Sequence, residues 1–98
     1  MGIEYRISCA PDGLPKIGEL LHRRGGQPSP QFPTQIEFRF RPCGPEEMPD
    51  ATVVVEAAGI YFLDHCGERE QVAVLLRQII DEALTFSDSS DSVVITSL

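Results

Sequence analysis

The chain has 98 residues, 42% of them hydrophobic and 23% charged, which suits one domain built on a single core. Fifteen acidic residues against eight Lys/Arg give a net charge of −7 at pH 7. Such a polyanion is disfavoured on nucleic acid, which is bound largely through Lys and Arg on phosphates, and gains nothing at an anionic membrane surface.

Residues 3–9, "IEYRISC", alternate strictly. Ile3, Tyr5, Ile7 and Cys9 share one face and Glu4, Arg6 and Ser8 the other, the pattern of a half-buried strand. "APDG" breaks it, with Asp12 a turn former or helix N-cap and Pro15 fit for a first helical turn. Leu14, Ile17, Leu20 and Leu21 follow helical spacing, His22, Arg23 and Arg24 fall in the last turn, and Gly25-Gly26 ends the helix. "GGQPSPQFPT" (25–34) is a Pro-rich connector. Its Pro30-x-x-Pro33 has Gln27, not a basic residue, three positions before it, unlike a typical SH3-type ligand.

Residues 35–41, "QIEFRFR", alternate again, with Ile36, Phe38 and Phe40 on one face and Glu37, Arg39 and Arg41 on the other. "PCGPEEMPD" (42–50) is a second Pro-punctuated loop. "ATVVVE" (51–56) reads as a strand, Ala57-Ala58-Gly59 as a tight hairpin turn with Gly59 at positive φ, and "IYFLD" (60–64) as the returning strand. The strongest signal lies at 68–86, where Val72, Leu75, Leu76, Ile79, Ile80, Ala83 and Leu84 form an amphipathic stripe. "SDSSDS" (87–92) is a polar turn and "VVITS" (93–97) a last strand.

The expected order is β-α-β-β-β-α-β in a single domain, residues 1–98. Two amphipathic helices need a common apolar surface, so the fold class is α+β, a two-layer α/β sandwich. Both helices lie on one face of a mainly antiparallel sheet, and the other face is open, showing Glu4, Arg6, Glu37, Arg39, Arg41 and Glu56. In element order this resembles the ferredoxin-like βαββαβ arrangement with one extra strand, an architecture that hosts many unrelated functions.

Three cysteines, Cys9, Cys43 and Cys66, are an odd number at wide spacing, which argues against a disulfide framework and for thiols in a reducing cytoplasm. The opening "MGIEYRISCAPDG" has no basic stretch leading into an apolar run, so no secretory leader is expected. With His22 and His65 the cysteines show no paired spacing of the kind structural zinc uses, so neither metal nor cofactor is expected.

Chemistry, if present, is expected at Asp64-His65-Cys66, where a strand ends just before a helix N-terminus. Adjacent residues on an extended chain point to opposite sides, and Glu68 and Glu70 oppose a thiolate, so the plainer expectation is a strand-to-helix turn shaped by Asp64 and Gly67. The other candidate surfaces are the charged strand face (Arg6, Glu37, Arg39, Arg41) and the acidic turn (Asp88, Asp91). Phe38 and Phe40 alternate away from the arginines, which is not the pattern of an RNA-binding sheet.

Charge is uneven, with six Lys/Arg against four Asp/Glu in residues 1–41 and two against eleven in residues 42–98. An acidic chain without a catalytic constellation reads as a non-enzymatic protein-binding module: an adaptor, a regulator, or an inhibitor or immunity-type partner of a cationic protein. The alternative is a small enzyme or ligand-binding domain using Asp64, His65 and Cys66. A homodimer through the sheet is compatible with either.

Overall fold

The alternation read at residues 3–9 and 35–41 sets the face that Ile7 and Phe38 present to the core. Ile7, Phe38, Ala51, Val53, Ile60 and Phe62 lie on one side of the sheet and join Leu14, Ile17, Leu20 and Leu21 of one helix and Val72, Leu75, Ile79 and Ala83 of the other in one core cluster. The computed structural model describes residues 2–41, 47–87 and 93–98. Its elements are β1 (Ile3–Ser8), a 3-10 turn (Pro11–Gly13), α1 (Leu14–Arg23), β2 (Gln27–Pro28), β3 (Gln35–Phe38), β4 (Ala51–Glu56), β5 (Gly59–Asp64), α2 (Arg69–Thr85) and β6 (Val94–Ser97).

The fold is α+β: among the described residues two α-helices accompany an open six-stranded sheet, in the order β2-β3-β4-β5-β1-β6 with every neighbouring pair antiparallel. Each fully buried Leu, Ile, Val or Phe in the shared core contributes about 2 kcal/mol. No helix among the described residues is long and apolar enough to cross a membrane.

The end of α1 is set by local chemistry and the start of α2 by a distant side chain. At the end of α1, Gly25 takes φ +88°, its N–H reaches His22 O at 3.1 Å and the Gly26 N–H reaches Leu21 O at 3.0 Å. These are the two bonds of a Schellman motif, which favours glycine at the left-handed position. Asp12 sits in the 3-10 turn, not at the N-cap of α1, which is Gly13. α2 begins without a side-chain cap from its own N-cap residue, Glu68. The N–H of Glu68 itself is taken by Asp50 Oδ1 at 3.0 Å.

Three expectations are corrected. The Pro-rich connector contains a sixth strand, β2, because Gln27 and Pro28 align with Glu37 and Ile36 on β3. Gly59 is not a positive-φ turn residue; it is the first residue of β5, paired with Glu56 and Ser8. A Cβ there would lie 2.1 Å from Ile7 O, so close approach of β1 is what demands glycine.

The third correction concerns 35–41. β3 stops at Phe38, because the Asp50 N–H bonds Phe38 O at 2.8 Å and the Asp50 carboxylate takes the Phe40 N–H at 2.8 Å. The ladder is thereby replaced by side-chain bonding, and Arg39 and Arg41 do not stand in register on a strand.

Candidate functional site: the open-face cleft

The sheet face turned away from the helices is hollowed over β3, β4 and β5 into a cleft of about 740 Å³. Its floor is built by alternation. Tyr61, Leu63 and His65 point the same way from β5 and its end, and Thr52 stands opposite Leu63 on β4. One wall is the segment Ser29–Phe32, folded back on itself by the Ser29 N–H to Gln35 O bond and the Gln35 N–H to Phe32 O bond, both 2.8 Å. The wall opposite is Glu47–Pro49. Two large apolar side chains stand out at the rim, Phe32 at 56% exposure and Met48 at 65%.

Two polar side-chain pairs lie within the cleft, Arg39 with Glu37 and His65 with Thr52. Arg39 Nη1 lies 2.9 Å from Glu37 Oε1, and this ion pair is largely shielded, at 18% and 16% side-chain exposure. Arg39 also donates to the Glu47 carbonyl, from Nη2 at 2.8 Å and Nε at 3.2 Å, so one guanidinium ties the strand end to the opposite wall. His65 Nε2 lies 2.8 Å from the Thr52 hydroxyl. Burial lowers the His65 pKa, and the neighbouring carboxylates of Asp64, Glu37 and Asp50 offset that only in part. The floor is therefore a neutral imidazole on a hydroxyl beside a satisfied ion pair, framed by apolar side chains.

Asp64, His65 and Cys66 are not brought together. His65 turns into the cleft toward Thr52. Asp64 Oδ1 accepts the Cys66 N–H at 2.7 Å in a tight turn. Cys66 is exposed, with φ +62°, a left-handed conformation unusual for a residue bearing a side chain. Cys9 belongs to the core, and its burial raises its thiol pKa.

The charged face is likewise distributed. Arg6 pairs with Glu56 at 3.3 Å and stacks over Tyr61, 6.0 Å from the ring centroid. The Tyr61 phenol donates to Glu4, and this bond, with burial, raises its pKa. Glu37 and Arg39 lie in the cleft. Arg41 leaves them for Asp50, at 3.0 Å.

Asp88, Asp91 and Cys43 lie outside the described residues. Among the described residues no group of three His, Cys, Asp or Glu side chains could hold a metal ion. Sequence reasoning missed Phe32, Met48 and Thr52, because each becomes a cleft residue only through the pairing of distant segments. The hydrophobic, exposed Phe32 inside a Pro-rich loop was the one local signal. Comparison of the chain with protein-family models, with curated proteins and with solved structures found no match.

Proposed function

We propose that the protein is a non-enzymatic protein-binding module whose open-face cleft receives a segment of a cationic partner. The observation that carries this reading is the pair of exposed rim residues, Phe32 and Met48, standing over a floor whose ion pair is internally satisfied. Exposed aromatic and methionine side chains are what a docking surface buries at its centre. A preformed groove also lowers the ordering cost of association. The net charge of −7 favours a cationic partner and speeds its encounter. The divergence of Asp64, His65 and Cys66 leaves no nucleophile-base pair in that turn, which favours binding over chemistry there.

The test is affinity capture with the wild-type chain and with the double variant Phe32→Ala/Met48→Ala as parallel baits. A partner retained by the wild type, lost by the double variant and weakened as salt rises supports the proposal. Purified partner should shift the amide resonances of Thr52, Leu63 and His65. A partner held equally by both baits, or shifts confined to the helix face, would overturn the assignment.

A further inference from the structure

The sequence treats the two edges of the sheet differently. β2 is two residues long and ends in Pro28, opposite Ile36. The bond from Ser29 N–H to Gln35 O makes the neighbouring pair a hydrogen-bonded one. By alternation Pro28 therefore holds the position whose N–H would face outward, and it has none to offer. That edge is blunted.

β6 is not. The Leu98 N–H bonds Glu4 O at 2.9 Å, so Glu4 and Leu98 form a hydrogen-bonded pair. Along the same register Arg6–Thr96 and Ser8–Val94 are the others, while Ile95 and Ser97 turn their N–H and C=O groups away from β1. All four residues of β6 are exposed, none is charged and none is proline. Val94 and Ile95, on opposite faces, are 51% and 47% exposed. Natural sheets blunt such edges with charge, proline or a covering element.

The helix layer supplies a second apolar surface. Leu76, Ile80 and Leu84 are spaced four apart along one flank of α2; the first two form the partly buried fringe of the core, and Leu84 is exposed. In a right-handed β5-α2-β6 crossover this flank faces β6.

We propose that the β6 edge is a homodimerisation surface, on which Val94–Ser97 pairs antiparallel with the same strand of a second copy. A cationic partner finds no charge on this strand to complement. A second copy, itself highly acidic, meets here a strand that adds no like charge to the contact. Two-fold pairing matches the outward N–H and C=O of Ile95 and Ser97 with their own image and covers Val94 and Ile95 on the two faces. The axis stands perpendicular to the sheet, so the two α2 helices run antiparallel beside each other. The open faces of both copies lie on one side of a continuous sheet. Seven strand spacings separate β4 from its image, about 34 Å. The dimer therefore displays two clefts to one partner surface and supports bivalent docking.

The experiment is sedimentation equilibrium of the full chain across the micromolar range, at low and high salt, for the wild type and for Ile95→Pro. Proline at 95 removes an outward N–H and none of the bonds to β1. The expected result is a wild-type dimer that tightens as salt screens the repulsion between two acidic copies, and a monomeric Ile95→Pro chain with unchanged circular dichroism. Ile95→Lys, which keeps the backbone donor and adds an edge charge, should also be monomeric and serves if the proline variant fails to fold. Hydrogen exchange should slow at the Ile95 and Ser97 amides as concentration rises. A wild type that stays monomeric, a dimer that survives both substitutions, or a dimer that salt dissociates would each overturn the proposal. None of these outcomes depends on whether the cleft binds a partner.

Discussion

Asp50 Oδ1 accepts the backbone N–H of Glu68 at 3.0 Å, so a residue just ahead of β4 anchors the N-cap residue of α2, whose own side chain makes no capping bond. The other carboxylate oxygen takes the Phe40 N–H at 2.8 Å, and Arg41 lies 3.0 Å from Oδ1. Asp50 is 1% exposed, and its burial alone would raise its pKa. The two backbone donors and the Arg41 guanidinium outweigh burial and hold the carboxyl below its ordinary value.

Replacing Asp50 by Ala should therefore destabilise the fold by about 3 kcal/mol, since two half-buried N–H groups lose a charged acceptor. The folded-state pKa is depressed, so the unfolded chain binds the proton more readily. The carboxylate's contribution is complete above about pH 4 and is lost as pH falls through the folded value. Urea titrations from neutral to acid pH should show a steeper acid loss in the wild type than in Asp50→Asn. Equal slopes would refute the linkage.

Two glycines should respond with opposite signs to the same change. A Cβ on Gly67 would lie 1.9 Å from Asp50 Oδ1, so Gly67→Ala forces the carboxylate out of its place and should cost about 3 kcal/mol. Gly18, inside α1, has nothing within 4 Å of its built Cβ, and Gly18→Ala should stabilise by about 0.5–1 kcal/mol through backbone entropy. Thermal denaturation of both variants decides it, and a destabilised Gly18→Ala would count against the open space beside α1.

Most of the scaffold is legible in the sequence because its signals are periodic. Ile3–Ser8 and the stripe from Val72 to Ala83 each repeat a pattern often enough to place an element and its buried face, while the β-branched run in Ala51–Glu56 places a strand without naming its face. The end of β3 is not legible, because alternation continues through Arg41 and only the distant Asp50 stops it. β2 is hidden for a similar reason: two residues, one a proline, carry no period and become a strand only beside β3. The cleft is least legible of all. His65 stands out in the sequence beside Asp64 and Cys66, yet its polar contact is Thr52, thirteen residues away and across a strand pair.

His65 should titrate below the ordinary histidine value, because burial penalises its charged form more than the nearby carboxylates favour it. With the folded pKa depressed, the unfolded chain binds more protons between that pKa and about 6.5. Stability should rise with pH across this window, be fully present above it and be lost as pH falls through the folded value. Nuclear magnetic resonance titration of the imidazole gives the pKa directly. Thr52→Val, which removes the hydroxyl at 2.8 Å, should cost about 1 kcal/mol. An imidazole titrating at or above the ordinary value would contradict the placement of His65 in the cleft.

Cys66 gives the last test, which separates a strained turn residue from a reactive one. Its φ of +62° is a conformation that an L-residue enters at a cost and glycine enters freely. The Asp64 side chain holds the turn by accepting the Cys66 N–H, a bond that any residue at 66 except proline can make. Cys66→Gly should therefore keep the fold and stabilise it by about 0.5–1 kcal/mol, the relief of strain being partly offset by the entropy of a more flexible unfolded chain. Asp64→Ala should instead cost about 1 kcal/mol, by removing that acceptor. In the native protein, alkylation followed by peptide mapping should label exposed Cys66 and spare buried Cys9 until denaturant is added. A Cys66→Gly protein that melts lower than wild type, or a Cys66 closed to reagent, would show that the thiol makes contacts the exposed turn does not provide.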